Sequence, residues 1–231
     1  MNAAEFARRV DHTILKPEAG PADIDRLCDE ALAHGFAAVC VNPCWVERCV
    51  ARLRGSPVAV ATVAGFPLGA TTPGAKAFEA HEAATAGATE IDMVVNIGKL
   101  IAGDRAAVVD DIWQVVRATR SANSKAIVKV ILETAALNEA QIILGCRCTA
   151  EAQAEFVKTS TGFHAAGGAT VQSVGLLRKH AAPIRVKASG GIRDLATAEA
   201  MIAAGADRLG MSAGVAIMRE LAAREGTATI R

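Results

Sequence analysis

The stretch Ala84-Thr85-Ala86-Gly87-Ala88-Thr89-Glu90-Ile91-Asp92-Met93-Val94-Val95 decides the fold. An alanine-rich segment, a glycine suited to close a helix in left-handed backbone, and a β-branched run follow one another directly. The joint recurs at Ala31-Leu32-Ala33-His34-Gly35 before Ala38-Val39-Cys40-Val41, and at Ala203-Ala204-Gly205-Ala206 before Asp207-Arg208-Leu209-Gly210-Met211. Repeated helix-to-strand joints of this kind predict a parallel sheet with helices packed outside it.

Working outward, strands are predicted near His12-Thr13, Val39–Val41, Val58–Thr62, Ile91–Val94, Ile127–Leu132, Phe156–Lys158, Ile184–Lys187 and Arg208–Gly210. Helices fit between them at Pro21–His34, Pro43–Leu53, Gly74–Gly87, Asp104–Arg120, Asn138–Ala152, Thr170–Lys179 and Leu195–Ala204, with Asn138 and Asp194 as N-caps. Eight strands alternating with helices predict an α/β fold, a (β/α)8 TIM barrel forming a single domain over residues 1–231. A doubly wound open sheet competes, but no G-x-G-x-x-G follows the first strand.

Composition narrows the function classes. The net charge is +1, with six Phe, two Trp and no Tyr; with no basic block, nucleic-acid binding is not expected. No apolar run reaches the length of a membrane span, and residues 1–9 lack an apolar signal core, so a cytoplasmic protein is expected. Cys28, Cys40, Cys44, Cys49, Cys146 and Cys148 form no C-x-x-C pair and read as reduced, half-buried thiols. The five histidines are scattered, and neither a metal nor a cofactor is expected.

In such a barrel the chemistry sits at the C-terminal ends of the strands. Those ends carry Asp11, Asn42, Thr62 with Gly65, Asp92 with Asn96, Lys129 with Glu133, Lys158, Lys187, and Gly210 with Ser212. Phe156-Val157-Lys158-Thr159-Ser160-Thr161-Gly162 and Ile184-Arg185-Val186-Lys187-Ala188-Ser189-Gly190-Gly191 each end an apolar run in a lysine followed by small residues. Two ammonium groups ~6 Å apart at an effective dielectric near 20 repel by about 2.8 kcal/mol, roughly 2 pKa units. Partial burial adds to this. A free amine so produced forms a Schiff base with a carbonyl, and Asp92 can move the protons. A structural ion-pair network of Asp92, Lys129, Lys158 and Lys187 is the competing reading, and Lys129 suits it. Gly190-Gly191 and the Gly210–Gly214 loop, with Gly162, Arg193 and Ser212, are candidates to bind an anion. Together these features read as a Schiff-base aldolase for a phosphorylated sugar.

Assembled, Asp11-His12-Thr13-Ile14-Leu15-Lys16, Glu90–Gly98, Lys129–Thr134, Phe156–Phe163 and Val186–Arg193 resemble the deoxyribose-phosphate aldolase family, in order and over essentially the whole chain. The resemblance implies a (β/α)8 fold and reversible cleavage of 2-deoxy-D-ribose 5-phosphate to acetaldehyde and D-glyceraldehyde 3-phosphate. It implies Lys158 as the Schiff-base lysine, Lys187 as its pKa-lowering neighbour and proton donor or acceptor, and Asp92 as the proton-transfer carboxylate. The residues by themselves do not rank the two lysines. Asp11, Lys129 and Thr159 are expected to support these three from behind. Small phosphosugars and aldehydes are the expected partners, and a dimer or larger homo-oligomer is expected. Catabolism of deoxyribonucleotides would be the setting.

Three departures from the family stand out. Relatives carry a C-terminal tyrosine that helps move a proton, whereas this chain ends Ala228-Thr229-Ile230-Arg231. Either the tail is cut short or water relayed by Lys187 and Asp92 suffices, with slower proton exchange expected. Phe163 and Ala213 stand where some relatives have lysine and serine, so looser phosphate binding and tolerance of unphosphorylated aldehydes are expected. A non-catalytic phosphosugar-binding barrel and a phosphosugar isomerase or epimerase are the alternatives; neither needs Lys158, Lys187 and Asp92 together.

Overall fold

The computed structural model describes residues 1–228; Thr229, Ile230 and Arg231, part of the tail discussed above, lie outside the described residues. The elements run α1 (Ala3–Ala7), β1 (Val10–Ile14), α2 (Pro21–His34), β2 (Ala38–Val41), α3 (Val46–Arg52), β3 (Ala59–Ala64), α4 (Pro73–Thr85), β4 (Glu90–Val94), α5 (Ile97–Ile101) and α6 (Arg105–Ala122). They continue as β5 (Ile127–Ile131), α7 (Glu139–Glu151), β6 (Phe156–Lys158), α8 (Val171–Ala181), β7 (Arg185–Ser189), α9 (Leu195–Ala203), β8 (Arg208–Met211) and α10 (Gly214–Ala228). All eight strands are parallel, each pairs with its sequence neighbours, and β8 pairs with β1 to close the barrel.

The helix-to-strand joints behave as expected. Gly35 closes α2 in the left-handed region (φ 68°), and Gly87 and Gly205 also stand at positive φ. Asn138 and Asp194 cap α7 and α9 by accepting the backbone N–H of Gln141 and Thr197. Several details differ from expectation. The segment expected as one helix from Pro43 begins as a 3-10 turn at Pro43–Trp45, and β3 extends to Ala64. The turns α1 and α5, five residues each, and the long α10 were not anticipated. A five-residue helix shows little more than one turn of periodicity, and Gly214 at the start of α10 reads as the end of a glycine loop.

Alternation along the strands sorts the side chains. Outward residues such as Val39, Ile91, Met93, Val128, Val130, Val157 and Val186 join the main apolar core beneath the helices. Inside the barrel, Leu15, Ala38, Cys40, Ala61 and Val63 form a separate apolar cluster. Thus β2 and β3 supply an apolar inner wall, and the charges come from β1 and from β4 to β8. The cysteines are more deeply placed than expected: Cys28, Cys40, Cys49, Cys146 and Cys148 are fully buried, and Cys44 is exposed. Among the described residues no helix is long and apolar enough to cross a membrane.

One buried ion pair lies outside the barrel. Lys76 of α4 reaches Asp111 of α6 at 2.7 Å, and both are buried; Asp111 also accepts the backbone N–H of Asn96 at 2.9 Å. Lys76→Met leaves Asp111 without its counter-charge, and urea unfolding is expected to show a loss of about 3–5 kcal/mol. The double change Lys76→Met/Asp111→Leu should recover most of it. An equally unstable double variant would show that packing, rather than charge, holds this contact.

Candidate active site

Parallel register places the charged residues side by side. Lys158 pairs with Lys187 across β6 and β7, and Asp92 pairs with Lys129 across β4 and β5. Their side chains converge on one carboxylate. Asp92 accepts from Lys129 Nζ through Oδ1 at 2.7 Å, and from Lys158 and Lys187 through Oδ2 at 2.7 Å each. The two amines on Oδ2 are therefore closer together than the ~6 Å taken from sequence. Behind them Lys187 also donates to Asp11, which is gripped in turn by Arg208. Lys129 also pairs with Glu90 at 2.6 Å.

These contacts separate the lysines electrostatically. Burial lowers the pKa of Lys158; Lys187 adds to the effect, and Asp92, the one carboxylate paired with it among the described residues, opposes both without reversing them. Burial would lower Lys187 as well, but Asp11 and Asp92 outweigh it and hold its ammonium above the usual lysine range. Lys129 is likewise raised, Asp92 and Glu90 overcoming burial. Burial would raise both carboxylates, yet the surrounding cations hold Asp92 well below its usual range and Asp11 at about 2. Sequence points first to the neighbouring ammonium; in the structure burial is the larger cause for Lys158. Lys158 keeps 3% of its surface exposed, whereas Lys129 and Lys187 have none. Cys40, on the apolar wall, has its thiol pushed up to about 11 by burial and the field of Asp92.

Above the lysines lies a cleft of about 410 Å³ whose lining includes all six anion candidates, Gly162, Gly190, Gly191, Arg193, Gly210 and Ser212. Gly190 (φ 89°) is where a side chain is excluded twice, since a Cβ there would stand 3.0 Å from the Cα of Gly168 and 3.3 Å from that of Gly162. The loops after β6 and β7 thus meet backbone to backbone, tied by the Ala169 N–H to the Gly190 carbonyl at 3.0 Å. At Gly210 the space for a side chain holds the stem of Lys187, 3.1 Å from an ideal Cβ.

Thr159 binds the loops from below. Its hydroxyl donates to the Ser189 carbonyl and accepts the Ser189 N–H, each at 3.0 Å. Glu133 accepts from the Thr161 hydroxyl at 2.5 Å and so holds the loop after Lys158. Other strand-end residues stand apart from the lysines: Asn42 donates to the Leu15 carbonyl, Thr62 to the Val41 carbonyl, Asn96 caps α5, and the Gly65 N–H binds Glu79.

Sequence reasoning missed Arg208 and Glu90, which complete the charge cluster, and Gly168 and Lys16, which shape or line the cleft. In sequence Lys16 is legible only as the last residue of a motif. Phe163 is half exposed and meets Phe66 edge-on, ring centres 5.2 Å apart, so this rim of the mouth is apolar.

A parallel eight-stranded barrel holding a lysine of lowered pKa among paired charges at its strand ends has the form of an aldolase. The chain belongs to the DeoC/LacD family of aldolases, whose family model matches residues 6–221. It is 52% identical over 222 residues to deoxyribose-phosphate aldolase 1 of Bacillus licheniformis, covering 96% of this chain and 98% of that one. It is 51% identical over 210 residues to the deoxyribose-phosphate aldolase of Brevibacillus brevis, covering 90% and 93%. Among solved structures, the aldolase QR15 superposes with a TM-score of 0.88 at 39% identity, covering 95% of this chain and 97% of that one. The tetrameric deoxyribose phosphate aldolase of Aeropyrum pernix gives 0.86 at 33%, covering 94% and 91%.

Proposed function

We propose that the chain acts as a single barrel domain that reversibly cleaves 2-deoxy-D-ribose 5-phosphate to acetaldehyde and D-glyceraldehyde 3-phosphate, with Lys158 as nucleophile. The observation that carries the assignment is the ion-pair pattern: among the described residues Lys158 has one carboxylate partner, whereas Lys187 has two and Lys129 three. Lys158 is therefore the amine that most readily gives up its proton. It attacks the C1 carbonyl of the open-chain sugar, and the carbinolamine loses water to give an iminium. Removal of the C3 hydroxyl proton then breaks the C2–C3 bond, glyceraldehyde 3-phosphate leaves, and the electron pair stays as an enamine. Protonation at C2 and hydrolysis release acetaldehyde and restore the amine.

Asp92 touches both lysine amines through one oxygen, and with Lys187 it can take and return these protons directly or through water. The 5-phosphate would lie on the N–H groups of Gly162, Gly190, Gly191 and Ser212, with Arg193 and Lys16 as cations at the rim. The same reading includes a cytoplasmic setting and self-association, the latter supported by the tetrameric Aeropyrum pernix relative.

Borohydride reduction in the presence of acetaldehyde, read by peptide mass spectrometry, tests the proposal. A two-carbon adduct on Lys158 is expected. An adduct on Lys187 instead would exchange the two roles, and no adduct above surface background would remove the imine mechanism.

A further inference from the structure

The barrel floor holds a closed ring of alternating charges. Arg208 donates to Asp11 (Nε to Oδ1, 2.8 Å) and to both oxygens of Glu90 (3.3 and 3.2 Å). Glu90 pairs with Lys129 at 2.6 Å, Lys129 with Asp92 at 2.7 Å, Asp92 with Lys187 at 2.7 Å, and Lys187 returns to Asp11. Three cations and three anions alternate, so the ring is neutral. Its members come from β1, β4, β5, β7 and β8, and only barrel closure brings them together. Lys158 is attached to this ring from outside, through Asp92 Oδ2.

We infer that Arg208 and Glu90 are positioning residues which, by balancing the ring beneath the nucleophile, determine that Lys158 is the member of the cluster that releases a proton. With Lys158 ionised, four cations face three carboxylates in a buried site. A buried cluster sheds excess charge where the fewest counter-charges hold it, and that place is Lys158. Asp92 of β4 meets Lys158 at 2.7 Å and Lys187 of β7 shares the same oxygen; the thiol of Cys40 on β2 acts on its charge through space, and Lys129, Asp11, Glu90 and Arg208 complete the field. The adjoining inner wall of β3 is apolar, with Ala61 and Val63. Loss of Arg208 would leave three cations for three carboxylates, and Lys158 would keep its proton. Loss of Glu90 would deepen the excess, and Lys158 would lose its proton sooner.

The assignment of Lys158 as nucleophile gives this inference its catalytic meaning, but its test needs no substrate. The substrate-free protein is labelled with trace acetic anhydride from about pH 6 to about pH 11, and acylation of each lysine is read by mass spectrometry. Arg208→Met should move the Lys158 midpoint up by about one pH unit and Glu90→Gln down by about as much. The double variant should return it to near the original. Midpoints unmoved in both single variants, or moved in the same direction, would overturn the inference. Should Arg208→Met fail to fold, Glu90→Gln and the double variant carry the same test, as a downward shift followed by its return. Acetaldehyde trapping by borohydride separately reports whether Lys158 is the imine-forming amine.

Discussion

Lys158→Met is expected to lower cleavage of 2-deoxyribose 5-phosphate by roughly 10^4-fold or more while leaving the barrel about as stable as before. The activity loss follows from the proposed chemistry, since without the amine no iminium forms to accept the electron pair of the breaking bond. The preserved stability follows from the ring. Removing one partner of a buried ion pair is usually severe because a naked charge stays behind. Here Asp92 keeps Lys129 and Lys187, each at 2.7 Å, and the six remaining charges balance. Urea unfolding should therefore stay within about 1 kcal/mol of the parent. Steady-state cleavage assays and equilibrium unfolding on the same preparation check both halves. Activity within tenfold of the parent would remove Lys158 as nucleophile, and a loss of several kcal/mol would mean that Lys158 is a structural member of the cluster.

The parts of this site that were legible in sequence are those carried by local pattern. Lys158, Lys187 and Asp92 stand out because a charge amid β-branched residues must point into the barrel or be wasted in the core. The helix-to-strand glycines at 35, 87 and 205 were legible because positive φ is a backbone demand that glycine meets. Arg208 and Glu90 were not, because each is the first residue of its strand, where a charge reads as solvent-facing. Their meeting depends on β4 and β8 facing each other across a closed barrel, and no local spacing encodes that distance. The ranking of the two lysines was hidden for the same reason. Lys187 gains Asp11 from β1, the strand farthest from it in sequence, and this carboxylate, absent from Lys158, sets them apart. Gly190 showed only as a turn signal; its close approach to Gly168 depends on how two loops dock.

Asp92→Asn is expected to reduce cleavage by about 10^2–10^4-fold and, at neutral pH, stability by roughly 3–5 kcal/mol. The amide keeps the shape of the side chain but takes one anion from beside three ammonium groups, leaving four cations to face Asp11 and Glu90 alone. The lysines nearest the change would relieve the excess by losing protons, Lys158 first, so a larger fraction of free amine would not rescue catalysis. What disappears is the proposed acceptor and donor of protons at the carbinolamine and enamine steps. The pH dependence separates charge from packing. Because the lysines hold Asp92 well below its usual range, its contribution is fully present above the unfolded value of about 3.9 and is lost as pH falls through the folded value. The stability gap between the parent and Asp92→Asn should therefore be widest above about pH 5 and narrow progressively in acid. Urea unfolding at about pH 7 and about pH 3 measures it. A gap of equal size at both would mean that the amide disturbs packing, and that the carboxylate charge is not what holds the three lysines together.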